Sequence, residues 1–316
     1  MTSIVGSYPA PPLATARRLE WSFLPPNLRA WIERKCGSPV VGAESQGAGF
    51  TPGFASVLTC EDGSRHFVKV ASVKAQRVFA ASYREEARKL AALPESVPAP
   101  RLKWLLDDDW VVLGLDYVEG RNPTRPWRQA DLDACLDACE VIAAELTPAP
   151  EGLGLDPISD ELADLVGFWD HIRVIEPGLP HLEEAAALAG AFAEVAGGDT
   201  VVHTDLRDDN FLIGTDGRVW ICDWNWPVLG ADWVDSLFTL IGPRGDGLDV
   251  ERVIAERPLL RDVPAEHIDI MLALLVGYFF RQRDEPVPSN SPHIRDHQSW
   301  QGEVCWAWLC ERRGWA

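Results

Sequence analysis

"HTDLRDDNFLIGTDGRVWICDWN", residues 203–225, sets five aspartates and two asparagines around two short apolar runs, and its reading decides the rest. Asp216 and Gly217 between "NFLI" and "VWICD" are the turn residues a tight hairpin needs, so 211–222 reads as strand, turn, strand. That turn leaves Asp205, Asn210 and Asp223 unexplained. A hairpin begins and ends at one edge, so Asn210 at its entrance and Asp223 at its exit face one another. An amide oxygen and a carboxylate are hard ligands, suited to a Mg²⁺ ion that takes the rest of its shell from water and a polyphosphate. Asp205, just upstream, is then free to accept a proton.

Toward the N-terminus the pattern is that of strands. "PPNLRAWIERKCG" (25–37) reads as a short helix, with proline at its start and glycine at its end. Residues 39–72 read as three strands, with a glycine-rich turn at 47–53 and an Asp62-Gly63 hairpin. "YREEARKLAAL" (83–93) has helical spacing, and "RLKWLL" and "WVVLGLDYVEG" form a further strand pair. From about residue 120 the chain turns helical in "RQADLDACLDACEVIAAEL", "DELADLVGFWDHIRVI" and "HLEEAAALAGAFAEVA", and helices resume after 225. Strands first and helices second predict an α+β chain in two lobes, with the cleft between them as the default site.

Composition narrows the partners. The 316 residues carry a formal charge of −19, which repels phosphate backbones and anionic membranes, draws in a cationic ligand, and otherwise serves solubility. The longest apolar run, "IMLALLVGYFF" (270–280), is too short to span a bilayer and reads as a buried helix. No basic segment followed by an apolar run opens the chain, and the seven cysteines form no CxxC pair. They read as reduced, mostly packed thiols of a cytoplasmic protein. Cys135 and Cys139, one helical turn apart, read as packing.

"HTDLRDDN" followed by "VWICDW" resembles the H-x-D-x-x-x-x-N catalytic loop and metal-binding Asp of kinase-fold phosphotransferases, and most closely the aminoglycoside phosphotransferase family. The resemblance runs over roughly 40–240 in the right order. It implies a protein-kinase-like fold, with a small antiparallel-sheet N-lobe (1–118) and a mainly helical C-lobe (119–316). It implies transfer of the γ-phosphoryl group of ATP, or of GTP, to a hydroxyl of a small molecule with Mg²⁺ held by Asn210 and Asp223. Asp205 would be the base. Lys69 of "FVKV" would meet the α- and β-phosphates, braced by Glu86 of "REEARKL", with Glu85 as the alternative. Backbone groups of Asp116 and Val118 in "GLDYVEG" would meet the adenine, and Asp235 in "LGADWVDSL" would brace the loop.

Other assignments keep two readings. The turn "GAGFTPGF" (47–54), with Gly47 and Gly49, either folds over phosphates or is an ordinary hairpin. Arg207 either holds transferring phosphate or pairs with Asp208 or Asp209. Those two acids read first as solvated, and second as contacts to a cationic substrate. His203 reads as scaffold. Only twelve residues separate Asp223 from Asp235, too few for the activation segment with which protein kinases dock peptides, so the acceptor site is small and open. Acids of the insert 156–172, with Trp169 and Trp226 for stacking, are its expected lining. "WNW" after Asp223 departs from the family's pattern, which leaves an aminoglycoside, a macrolide or peptide antibiotic, a metabolic amino alcohol or sugar, or an idle nucleotide-binding regulator all open. Nothing in the sequence sets an oligomeric state.

Overall fold

The computed structural model describes residue 11, residues 17–47 and residues 53–315. Helix α1 (Pro26–Cys36) starts on its proline and stops at Gly37, whose φ of 87° is open to glycine without the Cβ clash other residues meet. Strands β1 (Val40–Ser45), β2 (Phe54–Cys60) and β3 (Arg65–Ser72) follow, then α2 (Arg77–Ala92), β4 (Leu102–Asp107) and β5 (Trp110–Leu115). The five strands make one antiparallel sheet in the order β1-β2-β3-β5-β4. Helix α2 begins at Arg77 rather than at 83, because its first turn shows Val78 to solvent and has no capping side chain to mark the start. β5 ends at Leu115, so 116–119 form an irregular link rather than more strand.

Period-two alternation gives this sheet two different faces. Val68 and Val70 of β3 pack with Phe54, Leu58 and Val112 under Leu28 and Ile32 of α1. Ala71 belongs instead to the larger core that contains Ala80, Tyr83, Ala87 and Leu90 of α2. Lys69, between the two valines, is therefore carried to the α2 side.

The second part is built of β6 (Gly120–Arg121), α3 (Gln129–Glu145), α4 (Ile158–Glu161), α5 (Phe168–Ile175), α6 (Leu182–Gly190), α7 (Phe192–Val195) and β7 (Thr200–Val202). The hairpin β8 (Phe211–Gly214) and β9 (Val219–Ile221) and strand β10 (Val228–Gly230) come next. Then follow α8 (Val234–Thr239), α9 (Ile241–Gly245), α10 (Val250–Glu256), α11 (Ala265–Arg283) and α12 (Ile294–Arg313). The sequence-predicted helices over 160–175 and 181–196 each divide into shorter pieces. α11 is buried almost all round and packs on α12, α6 and α5, as "IMLALLVGYFF" predicts. Among the described residues no helix is long and apolar enough to cross a membrane.

Candidate active site

Between the sheet and the helices lies a cleft of about 250 Å³, lined by Lys69, Tyr83 and Glu86 from the first part and by Asn210, Asp223 and Trp224 from the second. Lys69 Nζ donates to both Glu86 carboxylate oxygens, at 2.7 and 2.9 Å, and to Asp223 Oδ1. Burial alone would lower the Lys69 pKa, but Asp223 and Glu86 together raise it, so its ammonium stays charged. Burial pushes the Glu86 carboxyl up to about 7, against the pull of Lys69. Glu85 turns outward and pairs with Arg88 at 2.8 Å.

The catalytic-loop segment is suspended from two buried groups. Asp235 accepts from the backbone N–H of His203 (2.7 Å) and of Thr204 (2.9 Å), the latter at a φ of 68°. His203 Nε2 lies 2.9 Å from the Cys222 carbonyl, while its Nδ1 accepts from Asp205 N–H at 3.3 Å; both contacts fit the neutral Nε2–H tautomer. Histidine here ties the loop to the exit of the hairpin. Asn122 adds a third tie, with Nδ2 donating to the carbonyls of Asp208, Asp209 and Phe211.

The hairpin does what its turn implies. Gly217 sits at a φ of 83°, Asp216 Oδ1 accepts from Arg218 N–H, and Phe211 pairs with Ile221. Cys222 N–H then donates to the Asn210 carbonyl at 2.9 Å, which brings Asn210 beside Asp223. Asn210 Nδ2 donates to the Asp205 carbonyl (2.7 Å) and to Asp205 Oδ2 (3.2 Å), which leaves its Oδ1 for the cleft. Asp223 adopts a φ of 65°, tolerable for Asp, and Lys69 draws its pKa down against the opposing effect of burial. Two hard oxygen donors on one cleft wall suit Mg²⁺.

Asp116, Tyr117 and Val118 line the same cleft. The Asp116 N–H is occupied by the Arg101 carbonyl, and the Asp116 side chain pairs with Lys103. Gly47 precedes the glycine-rich turn, whose residues 48–52, Gly49 included, lie outside the described residues. Two lining groups carry no sequence signal. Arg18 Nε and the Tyr83 hydroxyl are buried and have no hydrogen-bond partner among the described residues, so a bound polar ligand would find both.

Three sequence expectations need correction. Asp208 and Asp209 are not solvated: Asp208 pairs with Arg125 at 2.9 Å, and Asp209 accepts from Arg207 Nε and a terminal nitrogen, each at 3.1 Å. The pairing of Arg207 with Asp209 is the second of the two readings given for Arg207, whereas the partner of Asp208 has no local signal, because Arg125 reaches from 83 positions away. Burial raises the Asp209 pKa to about 7 against the pull of Arg207. Second, Arg207 is absent from the nucleotide-side lining; it forks onto Asp209, reaches Asp205 Oδ2 at 3.4 Å, and faces a different cavity. Third, Trp169 is fully buried and donates to the Ala273 carbonyl, so it is core.

That other cavity, about 450 Å³, shares Asp223 with the first and has Asp205 in its own lining. Leu165, Trp226, Phe238, Leu275 and Phe279 make its walls, with amides of Asn225, Gln298 and Gln301 among them. Trp226 is exposed there, as a stacking group must be. The 156–172 insert contributes Leu162 and Leu165, while its acids Asp156, Asp160, Glu161 and Asp164 point to solvent. Asp205, Arg207 and Asp223, which flank the β8–β9 hairpin, are its only charged lining among the described residues, apart from His297.

The sequence matches the phosphotransferase enzyme family, APH, over residues 54–247. No curated protein matches it significantly. Among solved structures, a spectinomycin phosphotransferase in complex with ADP and spectinomycin is 12% identical, covering 90% of this chain and 98% of its own, with a TM-score of 0.62. An aminoglycoside phosphotransferase from Alicyclobacillus acidocaldarius is 14% identical (92% and 96% covered, TM-score 0.57). A choline kinase from Streptococcus pneumoniae is also 14% identical (89% and 99%, TM-score 0.55). At these identities the likeness is one of fold.

Proposed function

The chain belongs to the phosphotransferase enzyme family, and from that premise we propose that it moves the γ-phosphoryl group of ATP to a hydroxyl of a small molecule with an apolar body. The observation that carries this reading is that Asp223 lines both of two adjoining cavities and Asp205 lines the second, the first being rich in charged side chains and the second lined mainly by apolar side chains and amides. The nucleotide lies in the first, its adenine against the Asp116 to Val118 link and its phosphates toward Lys69. The presence of ADP in the complex of the spectinomycin enzyme, which has a similar fold, supports nucleotide binding. Mg²⁺ bound by Asn210 and Asp223 supplies positive charge to the phosphate oxygens. Glu86 holds Lys69 in place to orient them, and Arg18 adds a second cation on that side.

The acceptor enters from the second cavity. Its hydroxyl oxygen bonds to the γ-phosphorus as the bond to the β-phosphate oxygen breaks, and Asp205 takes the hydroxyl proton. Arg207 is a positioning residue: joined to Asp209, it holds the Asp205 carboxylate. The aliphatic and aromatic walls fit an antibiotic-like alcohol whose polar groups are read by amides, and Asn225 Oδ1, buried without a partner among the described residues, is one such reader. A cytoplasmic setting fits the use of ATP and the free cysteines. A lobe boundary between residues 118 and 119 fits a first cavity lined from both sides of it and a second lined only from beyond it.

A polycationic aminoglycoside is the second reading, favoured by the charge of −19. Measuring ADP release with ATP or GTP across macrolides, aminoglycosides, amino alcohols and sugars separates the two. Stimulation by apolar-bodied alcohols is expected. Stimulation by polycations alone would overturn the acceptor class, and ADP binding with no stimulation by any acceptor would favour a nucleotide-binding regulator.

A further inference from the structure

On the side of the sheet away from the cleft, three donors of metal-ligand type converge from three elements. Cys36 ends α1, Cys60 ends β2 and His66 opens β3, and their ligand atoms all lie within 4.8 Å of one another. No other His, Cys, Asp or Glu triad among the described residues comes so close. The convergence follows from register. His66 is paired across the strands with Leu58, and Leu58, Val68 and Val70 all face α1. Two-residue alternation therefore puts Cys60 and His66 on that face as well. The Asp62-Gly63 turn closes the hairpin, and its Glu61 and Asp62 N–H groups donate to Pro39 and Ser38 just past Cys36, which holds the end of α1 against it.

The imidazole is also oriented. Ser64 donates its hydroxyl hydrogen to Asp62 Oδ1 at 2.7 Å, so across the 3.2 Å contact it accepts from His66 Nε2–H. That leaves the Nδ1 lone pair as the donor. A carboxylate acting through a hydroxyl to set a histidine tautomer is the arrangement expected behind a metal ligand.

We propose that Cys36, Cys60 and His66 bind one Zn²⁺ ion, with water in the fourth position, as a clamp joining α1 to the β2–β3 hairpin. Two sulfurs and an imidazole are a soft donor set suited to tetrahedral Zn²⁺. Each thiol loses its proton to solvent as its sulfur binds, so uptake releases two protons per ion and tightens with rising pH. The site lies on the opposite face of the sheet from Lys69, so phosphotransfer does not require it.

The test uses the full chain, stripped with a chelator under reducing conditions and titrated with Co²⁺ and then Zn²⁺. One equivalent of Co²⁺ should give a thiolate-to-cobalt charge-transfer band and tetrahedral visible bands that Zn²⁺ abolishes. Cys36→Ser and His66→Ala should lose them, Ser64→Ala should weaken binding by about tenfold, and Cys139→Ser should leave them intact. Because Cys60 is buried, the half-buried Cys36 and His66 carry the variant test. Absence of the charge-transfer band, its persistence in both variants, or recovery of Cys36 and Cys60 as a disulfide from reduced protein would overturn the proposal.

Discussion

The two cavities that meet at Asp223 are built on opposite principles. The proposed nucleotide side is ionic: Lys69 bonds Glu86 and Asp223, Asn210 bonds Asp205, and each sits at a fixed step from a strand end, a turn or a helix face. The acceptor side is steric. Its walls come from the 3-10 turn after α4, from α8, α9, α11 and α12, and few of its side chains bond to each other. A charged network tolerates little change, because removing one partner leaves another buried and uncompensated. An apolar wall can be rebuilt residue by residue, at a cost set by volume. On the proposed reading the ionic groups carry the chemistry and the apolar walls the choice of acceptor, with Asp205 reaching from the first set into the second cavity.

The contrast can be broken most directly at the wall. Asp205→Asn should lower kcat by about 10²–10⁴-fold with the nucleotide KM little changed, and Asp223→Asn should do at least as much. Circular dichroism of both variants should stay native. A variant retaining a tenth or more of the activity would remove that carboxylate from the mechanism.

One step out, on the ionic side alone, Glu86→Gln takes a carboxylate from Lys69 and should raise the ATP KM by roughly tenfold while the acceptor KM holds. Equal changes in both KM values would mean that the cavities are not independent. The reciprocal change is Leu165→Glu at a half-buried position, placing charge against the apolar wall. The acceptor KM should rise by about tenfold for an apolar-bodied alcohol and fall for a polycation, with ATP KM constant.

The smallest effect is expected behind both cavities, where Asp131 anchors the link between the lobes. Asp131 accepts from Arg121 at 2.7 and 2.8 Å and from Thr124 N–H at 3.0 Å, and these bonds lower its pKa to about 2 despite burial. The unfolded chain, with an ordinary carboxyl, takes up the proton first as pH falls. The stabilisation is therefore full above about pH 4 and lost as pH drops through the folded-state value. Asp131→Asn should cost about 1 kcal/mol at pH 7, after screening at the half-exposed Arg121, and wild type and variant should converge near pH 2. Denaturant titrations at the two pH values check the convergence.

Asn210 and Asp223 were legible in the sequence because they stand at the two ends of one hairpin, whereas Lys69 of β3 and Glu86 of α2 were picked out through the family resemblance. Arg18 and Asn122 escaped for want of any such period: one precedes the first helix, the other donates to carbonyls 86 to 89 residues downstream. The same distance explains Asp208, which looks solvated until Arg125 closes over it.

What the sequence determined by itself is the two-part fold and the hairpin that joins Asn210 to Asp223, since hairpins, strand alternation and helix faces are short-range rules, with Lys69 and Glu86 added by the family resemblance. The partner of Asp208, the burial of Trp169 against α11, and a cavity wall of leucine and phenylalanine rather than insert acids were decided by tertiary packing alone. Apolar side chains far apart in sequence have no spacing rule. Which of them meet, and whether they close a core or line a cavity, depends on how whole helices dock.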